Sequence, residues 1–233
     1  MLKKFIDKFR KRFLHSDFQR YYAKSVPGTF AIKIGNALLK MGLSIVLARY
    51  LGPSEYGVYS FVLSIIVILN LPARLGLPQL LVREVAKYEE LGYYHYLKGL
   101  IRRASQGVLL VSLILIALAF IITYFFEESF DLRNYKVFQT GLLLVPFIAM
   151  ISIFQSILKG LKQVVLGALP EQIIRYGMFF LFAVIFYFLQ ESMNAFHAMS
   201  LHVLGAFVAL ACAYFFMSAK LPQGFRQLKA EYK

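Results

Sequence analysis

The sequence predicts an all-α polytopic membrane protein, one bundle of about six transmembrane helices. Three observations predict it. Hydrophobic residues make up 59% of the 233 residues, and the mean hydropathy is +0.63; soluble domains run to roughly 45–50% apolar residues. Six stretches come close to the ~20 apolar residues that a helix needs to cross a bilayer. The 26 Lys and Arg residues, against 12 Asp and Glu, collect between those stretches, on alternate sides of the bundle.

The N-terminal tail, residues 1–25, holds Leu2, Phe5, Ile6, Phe9 and Phe13 at helical spacing with Lys and Arg between them. It lacks the apolar core and cleavage site of a secretory signal. It reads as an amphipathic cytoplasmic segment on anionic membrane lipid, with a frayed basic tail as the alternative. The transmembrane bundle fills residues 26–218. Its spans lie near 27–48, 56–75, 107–126, 137–158, 164–189 and 194–217, the first being the least apolar. Gly76–Leu77–Pro78 breaks the chain after the second span, and Lys159–Gly160–Leu161–Lys162–Gln163 joins the fourth and fifth in a tight hairpin. A loop is expected between the second and third spans, and its aromatic–basic run Glu89–Glu90–Leu91–Gly92–Tyr93–Tyr94–His95–Tyr96–Leu97–Lys98 reads as a juxtamembrane linker and not as an RNA-stacking surface. Residues 219–233 are expected to form a cytoplasmic tail or the start of a linker between halves.

Orientation follows from the loop charges. One side receives Lys3, Lys4, Lys8, Arg10, Lys11, Arg12, Arg20 and Lys24, then Arg83, Lys87, Lys98, Arg102 and Arg103, then Lys159 and Lys162, then Lys220, Arg226, Lys229 and Lys233. The other receives only Arg49, Arg133 and Lys136, with Glu55, Glu127, Glu128, Asp131 and Glu191. That asymmetry places both termini in the cytoplasm, and the expected location is the cell inner (cytoplasmic) membrane. It accounts for the basic charge without nucleic acid.

Lys33, Lys40, Arg74 and Arg175 remain, and they fall inside the predicted spans. A basic residue near the centre of a span costs ~2.5–3.5 kcal/mol on insertion scales, and such residues usually face a cavity. At 100° per residue Thr29, Lys33, Asn36, Lys40 and Ser44 share an arc of about 80°, opposite Ile34, Leu38, Met41 and Ile45. With two lysines and no acid, this stripe suits an anion; otherwise the helix lies at the interface and does not span. Glu171 and Arg175 stand at i, i+4 and can form an ion pair; alternatively Arg175 faces the same cavity and Glu171 acts in coupling. Pro72 and Gly76 flank Arg74, which predicts a kink and either a lipid phosphate contact or a substrate role.

Catalytic constellations are missing from the sequence. His197 and His202 are five apart and point to different faces; Glu171 is the only carboxylate within a span; no phosphate-binding glycine motif occurs. The sole cysteine, Cys212, reads as a buried thiol. The expectation is therefore a transporter and not an enzyme, with no cofactor and no metal.

Three stretches carry a family resemblance. Leu47–Ala48–Arg49–Tyr50–Leu51–Gly52–Pro53–Ser54–Glu55–Tyr56–Gly57–Val58–Tyr59 joins the first two spans. Ala73–Arg74–Leu75–Gly76–Leu77–Pro78–Gln79–Leu80–Leu81–Val82–Arg83–Glu84 follows the second. Lys159–Gly160–Leu161–Lys162–Gln163 leads to Leu169–Pro170–Glu171–Gln172–Ile173–Ile174–Arg175. Together they resemble the Wzx-like polysaccharide-biosynthesis flippases of the multidrug/oligosaccharidyl-lipid/polysaccharide exporter superfamily, from about residue 25 onward. In the first stretch Gly52–Pro53 makes the turn, Glu55 starts the next helix, and Tyr56 and Tyr59 are expected in an outer aromatic belt. Family members often have proline after the arginine of the last motif, where this chain has Tyr176.

The resemblance implies flipping of a lipid-linked oligosaccharide for surface polysaccharide or lipopolysaccharide biosynthesis. Its pyrophosphate head group would sit in a cationic cavity, which makes Lys33, Asn36, Lys40 and Arg175 the candidate binding residues. The family has twelve or more helices in two halves, so the chain resembles an N-terminal half and is expected to be either truncated or one part of a split protein. Its expected partner is a complementary C-terminal half, or a second copy by self-association. The alternatives are a non-transporting membrane remnant or interaction subunit, and half of a cation-coupled drug exporter.

Overall fold

The computed structural model describes residues 16–74, 76–125, 132–189 and 192–221, with backbone alone at 16–26, 124–125 and 132–134. The expected amphipathic segment before Ser16, and the tail beyond Leu221, lie outside these residues. Every regular element described is helical: α1 (Ser16–Ala73), α2 (Leu77–Leu91), α3 (Tyr94–Phe125), α4 (Leu132–Leu142), α5 (Leu144–Gly160), α6 (Val164–Leu169), a π-helical turn (Pro170–Ile174), α7 (Arg175–Leu189) and α8 (Ala195–Lys220).

Five stretches among them are long and apolar enough to cross a membrane: Pro27–Ala73, Tyr94–Thr123, Tyr135–Gly160, Val164–Leu189 and Ala195–Lys220. The first is 47 residues long, or roughly 70 Å of helix, twice what a ~30 Å hydrocarbon layer needs. It is broken at Gly52, whose φ of 73° and ψ of 171° no helix contains. The break yields limbs of 27–51 and 53–73, which are the first and second predicted spans. A Cβ would make this backbone conformation costly, so the turn requires glycine.

The core is built around α5, of whose 17 residues 14 are buried. An apolar helix surrounded on all sides is a central helix and not an amphipathic surface one. The α5–α6 hairpin closes over Leu161 and Lys162, with Gln163 N–H donating to Leu158 O at 2.8 Å. At the opposite end, Glu55 Oε2 accepts the backbone N–H of Ala195 at 2.8 Å, tying the turn after Gly52 to the start of α8. Asn194 caps the same helix through His197 N–H.

Three local expectations change. The loop expected between the second and third spans contains a helix, α2, flanked by Gly76 before it and Gly92 after it. It buries Leu81 and Val85, and a Cβ on Gly160 would come within 2.7 Å of Val85 Cβ. Tyr59, expected in an outer belt, is only 4% exposed, because its hydroxyl has a partner in the interior: His202 Nδ1, at 2.9 Å. A tyrosine so partnered can be buried without a desolvation penalty. Cys212, expected to be buried, is half-buried and free.

Candidate functional site: two cations on one aromatic ring

The first limb of α1 and the α6–α7 segment run side by side in the same direction. Three contacts climb in register. A Cβ on Gly28 would meet Val165 Cγ2 at 3.0 Å, and one on Gly35 would meet Ile173 Cδ1 at 3.4 Å. Further along, Lys40 Nζ lies 4.7 Å from the centroid of the Tyr176 ring. At 1.5 Å per residue, Lys40 is roughly 20 Å along from Pro27 and Arg175 roughly 17 Å along from Val164. Both therefore reach the middle depth of their spans.

The polar stripe flanks the packing seam of this limb, which is made by Ile32, Leu43, Leu47 and Leu51. Lys33, Lys40 and Ser44 are exposed on the bundle, and Thr29 and Asn36 are half-buried. Asn36 Oδ1 is buried without a protein hydrogen-bond partner. Ile34, Leu38, Met41 and Ile45 are exposed on the opposite face, as the helical arc requires.

Pro170 sets the other wall. It has no N–H to continue the α-helical ladder, and the chain widens into a π turn in which Arg175 N–H reaches Pro170 O. Such single π turns often mark functional sites. Glu171 and Arg175, which the i, i+4 spacing had allowed to pair, form no ion pair among the described residues. Glu171 Oε1 instead meets Arg74 Nη2 at 3.4 Å, with the two side chains 21% and 30% exposed. Arg74 therefore has a protein partner as well as any lipid contact. It stands in the turn where the second limb of α1 ends, at the break that Pro72 and Gly76 predicted.

Arg175 is 6% exposed. Its guanidinium carbon lies 4.5 Å from the Tyr176 ring centroid, and Nη2 donates to the Tyr176 hydroxyl. Close packing behind it comes from α8, where a Cβ on Gly205 would fall 2.9 Å from Arg175 O. Next to this lies a stacked pair, His202 on Phe179, with ring centroids 4.6 Å apart and planes 4° from parallel. Tyr176 and His202 are 6.0 Å apart.

The structure thus brings Lys40 and Arg175 together through Tyr176, with Asn36 one turn of α1 before Lys40. Lys33 lies two turns before Lys40, and Glu171 is engaged with Arg74. Among the described residues neither Lys40 nor Arg175 is paired with a carboxylate. Two residues at this site, Tyr176 and His202, were given no role by the sequence. The signal for Tyr176 was present, since it departs from the proline common in similar sequences. An isolated histidine in an apolar run gave no comparable signal.

The arrangement offers fixed positive charge and aromatic surface, which suits it to holding an anion. A family model described as polysaccharide biosynthesis protein matches residues 23–231. No curated protein and no solved structure matches the chain. The match covers nearly the whole sequence, and the helical membrane architecture agrees with it. The chain therefore belongs to the polysaccharide biosynthesis protein family, that of the Wzx-like flippases of the multidrug/oligosaccharidyl-lipid/polysaccharide exporter superfamily.

Proposed function

We propose that the chain takes part in flipping a lipid-linked oligosaccharide across the cell inner membrane, with its pyrophosphate held by Lys40 and Arg175. The observation that carries this reading is the meeting of these two cations on one ring at mid-span depth, with no carboxylate paired to either among the described residues. A diphosphate accepts several charge-assisted hydrogen bonds from such a pair. Asn36 and Lys33 continue the polar path along α1, while the lipid tail stays in the bilayer. No bond is made or broken, so the activity is transport and not catalysis. Export of cationic drugs finds little support, because Glu171, the carboxylate beside this site, is already matched by Arg74.

The loop-charge asymmetry supports cytoplasmic termini. Exposure of Lys33 and Lys40 on the bundle supports a partner that covers them, either a complementary half or a second copy. Alternating access between two bundles would then work about this site. The test is surface-polysaccharide export in a strain that lacks its flippase. The chain together with a complementary half should restore export. Lys40→Ala with Arg175→Ala should reduce it at least tenfold at equal protein level. Export at the wild-type level in that double variant would remove the pair from the mechanism.

A further inference from the structure

We infer that Tyr176 is a positioning residue, an aromatic clamp that makes Lys40 and Arg175 one preorganised anion-binding unit. The inference rests on the anion-site reading and adds a residue which that reading does not require. Lys40 belongs to α1 and Arg175 to α7, so nothing in the local chain holds them together. Both carry positive charge and repel, and a long, exposed lysine side chain gains freedom by swinging away. The Tyr176 ring opposes this. Its electron-rich face attracts Lys40 Nζ at 4.7 Å and the Arg175 guanidinium at 4.5 Å from the centroid. Its hydroxyl also accepts a hydrogen bond from Arg175 Nη2, fixing the guanidinium orientation.

The ring itself is fixed. The π turn that ends at Ile174 sets where Tyr176 falls, and the neighbouring His202 ring is locked against Phe179 and Tyr59. Arg175 Nε is buried without a protein partner, so the guanidinium has a donor to spare after meeting the tyrosine. A pyrophosphate carries anionic oxygens enough for both cations, whereas a monoanion carries one charged group.

The experiment is calorimetric titration of the purified full chain in detergent with inorganic pyrophosphate, and with acetate as the monoanion. Pyrophosphate is expected to bind and acetate to bind much more weakly. Tyr176→Leu should weaken pyrophosphate binding about tenfold, the scale of losing a partly desolvated cation–π contact. Tyr176→Phe keeps the ring and should lose only about two- to threefold. The decisive readout is coupling. Lys40→Ala and Arg175→Ala should act non-additively in the wild-type chain, because either one breaks the unit. They should act additively in the Tyr176→Leu background.

Unchanged coupling in Tyr176→Leu, or Tyr176→Phe as weak as Tyr176→Leu, would overturn the clamp while leaving the anion site intact. Wild-type affinity in both Lys40→Ala and Arg175→Ala, or no pyrophosphate binding by the wild-type chain, would overturn the anion site and the clamp together.

Discussion

Ser44 Oγ and the Tyr56 hydroxyl are hydrogen-bonded at 2.6 Å although twelve residues apart. In a straight helix that separation is roughly 18 Å, more than the two side chains can span. The chain must therefore double back between them, and the only non-helical residue available is Gly52. The bond makes residues 27–51 and 53–73 two antiparallel limbs, and it ties the end of the polar stripe to the start of the second span.

Gly52→Ala should destabilise the fold by about 1–3 kcal/mol, because its backbone region is almost exclusive to glycine. A Cβ there meets nothing within 4 Å, so the loss is purely conformational. Gly57→Ala is the control: it also meets nothing, lies in regular helix, and should be neutral or stabilising. Thermal unfolding in detergent distinguishes the two. Equal stability of both variants would contradict the turn.

Glu171 should couple energetically to Arg74 and not to Arg175. Both side chains of the Arg74–Glu171 pair are partly exposed, so a coupling of only about 0–1 kcal/mol is expected. Double-mutant cycles with Glu171→Gln, Arg74→Gln and Arg175→Gln measure it. Coupling confined to Arg175 would restore the i, i+4 pair that the sequence spacing suggested.

Tyr59→Phe should cost about 1–3 kcal/mol, the penalty for leaving the buried His202 Nδ1 without its partner. Adding His202→Phe removes the orphaned group and should recover part of the loss. A double variant less stable than Tyr59→Phe by the full cost of a second lesion would mean that the two residues act independently.

The polar stripe gives a labelling prediction. In a Cys212→Ala background, cysteines at Lys33 and Lys40 should react with a hydrophilic thiol reagent. Cysteines at Leu38 and Ile45, exposed on the opposite and apolar face, should not react, because lipid covers them. Equal labelling of the two faces would mean that this limb lies at the interface and does not span.

Much of this architecture was legible in the sequence. Hydropathy placed the fifth span, 164–189, at the bounds the structure gives it, because an apolar run between a tight turn and a polar loop has sharp edges. The break at Gly52 was legible because Gly–Pro is a strong turn signal. Helix α2 was not: at 15 residues with charges throughout, it is too short and too polar to stand out as a span. The contact of Glu171 with Arg74 was not legible, because i, i+4 spacing names neighbours on one helix and Arg74 stands on a different element. The meeting of Lys40 with Tyr176 was invisible for a more general reason. Helical periodicity assigns residues to faces, but only tertiary packing decides which faces meet.

The most direct measurement is binding by the purified chain of two lipids with the same polyprenyl tail, one ending in diphosphate and the other in a neutral hydroxyl. If Lys40 and Arg175 form a head-group site, the diphosphate should bind at least tenfold more tightly, and Lys40→Ala with Arg175→Ala should erase the difference. Equal binding of the two lipids to the wild-type chain, or a preference that survives the double substitution, would contradict it.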